Sequence, residues 1–251
     1  MSKIEYKIFA FRAVDEPNLC QQYVKGHLKV LTDYGIENVT SNNNTWTKNS
    51  NIYCIGLKSN NDSKLLGGIR IQLADGIHPL PVEDAIGYLD QEIYSRVQDY
   101  AINGGIGELS GLWVSNDLKG LSFGHHLVRA SIASSNQLNF KTLIGICAGY
   151  SLNMFINVGF MIDRSLGNKG DFPYPNKNYL AHVVGILKTS TLKSASAFDK
   201  KIMESLRNNI IQNRYEISSK INTNYNLKYL NVSEVNYFLK SNIKPPIKET
   251  L

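Results

Sequence analysis

Cysteine is scarce in this chain: three residues in 251, Cys20, Cys54 and Cys147, far apart and with no CxxC pair. That excludes a disulfide framework and gives no zinc-binding spacing, and it suits a reducing compartment. Long apolar runs are also absent, so no segment has the roughly 20 apolar residues of a transmembrane helix and no membrane partner is expected. The first residues, Met1-Ser2-Lys3-Ile4-Glu5-Tyr6-Lys7, lack the apolar stretch of a secretory signal, which predicts a cytoplasmic location. Several motifs that carry chemistry are missing as well. Gly104-Gly105-Ile106-Gly107 begins like a dinucleotide fingerprint, but Ser110 stands where the third glycine belongs, and the run precedes a strand instead of following one. There is no GxxxxGK[ST] loop and no GxSxG elbow. His125 and His126 are adjacent, and neighbours on a helix diverge by about 100°, unlike the i, i+4 pair that chelates one ion. His27, His78 and His182 stand alone. No metal site is expected.

What is present is globular composition: 43% hydrophobic, 10% aromatic and 19% charged residues, enough to bury a core without covalent staples. The net charge of +6 is unevenly spread. Residues 190–251 hold ten Lys/Arg against five Asp/Glu, while the first 189 hold seventeen against sixteen. The C-terminal lysines are scattered among Asn, Ser and Ile. They read as a solvated helical face or as a surface for an acidic partner, and they lack the dense block expected of a nucleic-acid binder.

Periodicity and turn residues predict a strand over 6–11 and a helix from Asp15, as its cap, to about Tyr34, with Pro17 in the first turn. The polar stretch 40–50 reads as a mobile loop or hairpin tip. A hairpin is predicted over 52–73, a helix over 84–101, a strand over 107–114 and a helix over 123–138. A strand over 142–147, a short helix over 151–158 ended by Gly159, and a strand over 181–187 follow. Beyond these, Phe198, Ile202, Leu206 and Ile210 recur every four residues behind Ser196 and Asp199 in capping-box spacing. A shorter helix is predicted near Ser233. The expected organisation is a domain over 1–189 and a basic helical extension over 190–251, which packs on the domain or on a second copy of the chain.

One segment concentrates chemistry: Glu108 to Gly124, ELSGLWVSNDLKGLSFG. A strand runs into a loop with small residues at 120, 122 and 124, and a helix begins. Small residues let a ligand approach the main chain, and the leading N–H groups of a helix, aided by its dipole, attract an anion such as pyrophosphate. Small residues also begin helices for packing reasons, so these residues alone leave both readings open.

The segment resembles motif A of the GNAT N-acetyltransferase superfamily, whose loop is Gln/Arg-x-x-Gly-x-Gly/Ala. Lys119-x-x-Ser122-x-Gly124 keeps that spacing, with Lys at the first place and Ser at the middle glycine. Phe155-Ile156-Asn157-Val158-Gly159-Phe160 resembles the end of the family's motif B, with Phe155 where a Tyr is common. The likeness covers about 6–187 and is specific mainly over 107–160. It implies an α+β fold: a mixed, mostly antiparallel sheet with helices on both faces and two central strands that splay around acetyl-CoA or another acyl-CoA. It also implies that the main chain of Lys119, Gly120, Leu121, Ser122, Phe123 and Gly124, together with His125, holds the pyrophosphate, and that Leu112, Trp113 and Val114 line the pantetheine. Glu108 takes the place of a general base, six residues before Val114, and alternation would put both on one face. Phe155 has no proton to give, so Tyr150 is the candidate acid for the leaving thiolate. Cys147 reads as a core thiol. The expected reaction is acetyl or acyl transfer to the amine of a small molecule or amino acid.

A second likeness is to the GNAT-fold N-acyl amino acid and acyl-homoserine lactone synthases, carried by Leu66-Gly67-Gly68-Ile69-Arg70-Ile71, Leu80-Pro81 and Glu108-Leu109-Ser110. Gly111 stands where that branch has Arg. It implies longer acyl chains, often delivered by acyl carrier protein, which the basic C-terminal stretch would suit. Ser122 and Phe155 also keep open a non-catalytic module that binds acyl-CoA.

Overall fold

Strands β2 (Ile52–Ser59) and β3 (Leu65–Leu73) are buried along nearly their whole length, which requires cover on both faces of the sheet they belong to. The structure, a computed structural model, describes residues 5–36, 44–216, 220–232 and 237. In these residues β1 (Tyr6–Arg12), β2, β3, β4 (Ile106–Val114), β5 (Thr142–Ala148), β6 (Met161–Ile162), β7 (Asp171–Pro173), β8 (Leu180–Ile186), β9 (Ile211–Glu216) and β10 (Ile221–Asn226) form one sheet. The order is β6-β8-β5-β4-β3-β2-β1-β10-β9, with β7 also on β8. Only β4 with β5 and β1 with β10 run parallel. This is the mixed, mostly antiparallel sheet that the resemblance implies.

One face carries α4 (Phe123–Ala133), α5 (Gly149–Asn157) and α6 (Ala197–Asn208) over apolar residues such as Ile55, Ile71, Leu109 and Leu143. The other carries α1 (Pro17–Asp33), which packs through Cys20 and Tyr23, and α2 (Pro81–Ile86) and α3 (Glu92–Ile102), which pack through Ile86, Ile93 and Val97. Among the described residues no helix is long and apolar enough to cross a membrane.

Several expectations need correction. The single helix over 84–101 is two, α2 and α3: Gly87 closes the first, and Asp90 accepts the N–H of Glu92 at 3.0 Å to start the second. Asp15 does not cap α1. It ends a short 3-10 turn over Ala13–Asp15, and its carboxylate accepts Asn231 Nδ2 at 3.0 Å. The described part of the polar loop, 44–50, is anchored. It forms a 3-10 turn, and its Trp46 is buried against Tyr23 with the Arg70 guanidinium 4.5 Å above its ring.

The C-terminal stretch departs most from expectation. Ser196 does cap α6, accepting the Asp199 N–H at 3.1 Å, and Ile202, Met203 and Leu206 are buried, but Phe198 is 54% exposed. After α6 the described residues are not helical. β9 and β10 pair antiparallel, and β10 pairs in parallel with β1, so that β9 becomes the edge strand on that side. The chain thus crosses from β8 at one end of the sheet to β10 at the other. Ile221, Thr223 and Tyr225 alternate with Asn and suit a strand, but local periodicity cannot reveal that its partner is β1 at the other end of the chain. The helix predicted near Ser233 lies outside the described residues.

Candidate active site

The site begins with a break in register. Gln72, Ile71 and Arg70 of β3 lie opposite Glu108, Leu109 and Ser110 of β4, but Gly68 and Gly67 lie opposite Trp113 and Val114. One extra residue is therefore accommodated on β4 around Gly111 and Leu112, as a β-bulge. Gly111 has φ +61°, in the left-handed region. The Tyr23 hydroxyl of α1 donates to its carbonyl, and a Cβ there would meet Arg70 Nε at 3.1 Å. Glycine in place of the synthase branch's Arg is thus built into this bulge.

The bulge overturns the simple alternation argument. Directly opposed residues share a face, so Glu108, Ser110 and Trp113 project to the α1 side, while Val114, opposite Gly67, projects to the other. The partner of Glu108 across the bulge is Trp113, not Val114. Trp113 packs edge-on to Tyr23 at 5.9 Å between ring centres and fills the space where a side chain at Gly26 would start.

Beyond the bulge the two parallel central strands part. Their pairing runs from Ile106 with Thr142 to Leu109 with Gly145 and then stops, although β4 continues to Val114 and β5 to Ala148. The wedge between them opens into a cavity of about 860 Å³. Its walls include Leu112, Trp113 and Val114 on one strand and Ile146, Cys147 and Ala148 on the other, with Met154 and Phe155 of α5.

At one end lies the loop before α4. Lys119, Gly120, Ser122, Phe123, Gly124 and His125 all border the cavity; Leu121 does not, and instead packs against the core. Ser122 precedes α4 with φ +57° and makes no side-chain cap, a conformation costing a non-glycine residue about 1–2 kcal/mol. The glycine usual at this place would adopt it freely. The first bonds into the helix come from the His125 and His126 N–H groups, both to the Ser122 carbonyl, so the Phe123 and Gly124 N–H groups lead the helix without intrahelical partners. A Cβ on Gly124 would find nothing nearer than Met154 Sδ at 3.9 Å.

At the other end, Glu108 lines the cavity at 2% exposure. Its Oε2 accepts the Val82 N–H of α2 at 2.9 Å. Burial pushes its carboxyl well above the ordinary carboxylate range, against the opposing pull of the Val82 bond and the Arg70 charge. Tyr150, in the first turn of α5, also borders the cavity but is 90% exposed. Burial drives the Cys147 thiol up to about 12, so at neutral pH it is an inert thiol.

Sequence reasoning missed His27, which borders the cavity from α1 and is lowered to about 4, chiefly by burial. It also missed Tyr23, whose hydroxyl holds the bulge, and the burial of Arg70 beneath Trp46. Tyr23 sits on the apolar stripe of α1, where a tyrosine gives no local sign of its distant partner.

The architecture can now be compared with known proteins. FeeM, an N-acyl amino acid synthase from uncultured soil microbes, is similar with a TM-score of 0.58 at 14% identity, over 79% of this chain and 98% of that one. BjaI, a CoA-dependent acyl-homoserine lactone synthase solved with SAM and isopentyl-CoA, gives 0.51 at 13% identity, over 81% and 90%. MesI, a CoA-dependent acyl-homoserine lactone synthase, gives 0.52 at 8% identity, over 80% and 95%. No protein-family model and no curated protein sequence matches the chain. At these identities what is shared is the fold, and it is the GNAT fold.

Proposed function

We propose that this chain is a GNAT-type N-acyltransferase that moves an acyl group from acyl-CoA to the amine of a small molecule or amino acid. The observation that carries the reading is the wedge between β4 and β5, with free helix N–H groups at one end and a buried carboxylate at the other. The Phe123 and Gly124 N–H groups face the donor's pyrophosphate, and Lys119 adds charge at the loop. The pantetheine lies along Leu112, Trp113 and Val114. A main-chain N–H on the unpaired edge of β4 polarises the thioester carbonyl, a contribution of about 3 kcal/mol for a donor of this kind.

The acceptor amine is protonated near neutral pH and must lose a proton before its lone pair attacks the thioester carbon. Glu108 takes that proton, directly or through one water, and burial, which raises its pKa, makes its carboxylate a stronger base than an exposed one. As the carbon–sulfur bond breaks, the thiolate of CoA leaves and is protonated by solvent or by Tyr150, whose exposure leaves its hydroxyl free to reach the cavity mouth. The products are an amide and free CoA.

The acyl group separates two versions of this reading. A small-amine acetyltransferase needs little space beyond the thioester. The apolar walls given by Leu112, Ile146, Met154 and Phe155, and the likeness to synthases of acylated amino acids and lactones, support the second version, a longer chain carried by CoA or acyl carrier protein. The test is CoA release from acyl-CoAs of two to sixteen carbons, each offered with a panel of amines and amino acids. Acceptor-dependent thiol release is expected, and its chain-length optimum chooses between the versions. Binding of acyl-CoA with no release for any acceptor would favour the non-catalytic module.

Gly124→Val supplies a sharper test of the donor site. The new side chain has room in the folded protein but projects where the pyrophosphate is proposed to lie. CoA affinity measured by calorimetry is expected to fall at least tenfold, about 1.4 kcal/mol, with an unchanged circular dichroism spectrum. Undiminished affinity would move the pyrophosphate elsewhere.

A further inference from the structure

His125 borders the cavity at the third residue of α4, and behind it stands a group from a distant part of the chain. Asp199, in the first turn of α6, places Oδ1 3.0 Å from His125 Nε2 and accepts Arg129 Nε at 2.6 Å. Its other oxygen accepts the Ser196 hydroxyl at 2.6 Å. Arg129 in turn lies 3.8 Å from Glu216 of β9, which also meets Arg214 at 3.4 Å and accepts the Tyr225 hydroxyl of β10 at 3.2 Å. Asp199, Arg129 and Glu216 are all buried. α6, β9 and β10 therefore each contribute a residue to one polar cluster, Asp199, Glu216 and Tyr225, and its imidazole bordering the cavity is His125.

Burying two carboxylates and a guanidinium beneath a helix is costly unless they are mutually paired, and a purely structural link between α6 and α4 could have been apolar. We infer that the C-terminal segment completes the donor site: Asp199 is a positioning residue that holds His125 against the diphosphate of the bound nucleotide and stabilises its imidazolium there. The inference rests on the donor-binding reading given above.

The charge balance shows how this would work. In the free protein burial, then Arg129, holds the His125 pKa below its ordinary value, while Asp199 and Glu216 pull the other way. His126, its chain neighbour, is fully buried and also lowered, to about 4. The free imidazole is therefore neutral at pH 7. A diphosphate at the start of α4 adds negative charge beside it and raises its pKa, so nucleotide binding takes up a proton and tightens as pH falls.

The experiment uses the full chain and 3′-dephospho-CoA, whose diphosphate does not titrate near neutrality, in calorimetry between pH 6 and 8.5, the range spanned by a shifted histidine. Two buffers of different ionisation enthalpy count the protons. The wild type is expected to take up a proton on binding. His125→Gln keeps a hydrogen-bonding group but cannot charge. It is expected to abolish the uptake and to weaken binding about tenfold at pH 6, with the difference closing at pH 8.5. Asp199→Asn keeps the bonds to Arg129 and Ser196 but removes the charge, and is expected to cut the uptake with His125 still in place. Should Asp199→Asn fail to fold, His125→Gln decides alone. Wild-type binding whose affinity, pH dependence and proton count are unchanged by His125→Gln overturns the inference and leaves the donor reading intact. A wild type that binds neither dephospho-CoA nor CoA overturns both.

Discussion

Glu108→Gln is expected to lower turnover by roughly 10²–10⁴-fold, the usual share of general acid–base catalysis, while CoA binding stays intact. Gln keeps the size of the side chain and can still accept the Val82 N–H, so the wall of the cavity survives. It cannot accept a proton. The wild-type rate should rise with pH only as Glu108 ionises, and burial places that rise well above the ordinary carboxylate range. At high pH the acceptor amine is already free, so the variant should recover part of its rate there. An equal fractional loss at every pH would mark Glu108 as a positioning group, and full activity would remove it from the mechanism.

The same substitution has a stability signature of opposite sign. A carboxyl whose folded pKa is raised stabilises the fold in its protonated form. That contribution is complete below the unfolded value of about 4.3 and is lost as pH rises through the folded value. Glu108→Gln should therefore melt higher than the wild type at pH 7–8 and converge with it near pH 4, as seen by thermal unfolding across that range. A site residue retained at a cost to stability fits a functional role for this carboxylate.

Ending the chain at residue 189 is expected to abolish soluble folded protein. The cut removes Asp199 and Glu216 from Arg129, which is buried in the intact chain. Leaving a buried charge without partners costs about 3–5 kcal/mol, a large share of the 5–15 kcal/mol by which a typical domain is stable. The cut also strips β10 from β1, exposing a strand edge, and uncovers the surface that Ile202, Met203 and Leu206 bury. Aggregation or a changed oligomeric state by light scattering is the expected result. A monodisperse 1–189 chain with an unchanged melting temperature would show 190–251 to be a loose tail.

The sequence by itself determined the parts that depend on near neighbours. Short apolar runs bounded by turn residues marked β2, β3 and β5. Small residues before Phe123 marked the start of α4, and Ser196 with Asp199 marked the cap of α6. The resemblance over 107–160 was enough to imply the fold, because the loop and helix that face the pyrophosphate in this reading are one continuous segment. Tertiary structure decided the rest. One extra residue at Gly111 turns Val114 to the opposite face from Glu108 and brings Trp113 to its side. A strand has a side-chain period of two, so a single inserted residue reverses every face beyond it, and only the paired strand reveals the insertion. The contacts that frame the site join Tyr23 to Gly111, Val82 to Glu108 and Asp199 to Arg129, across 88, 26 and 70 residues. No local pattern encodes such pairs. They exist because the crossing of α6 and the docking of α1 bring them together, and the free energy of packing those helices is what holds them there.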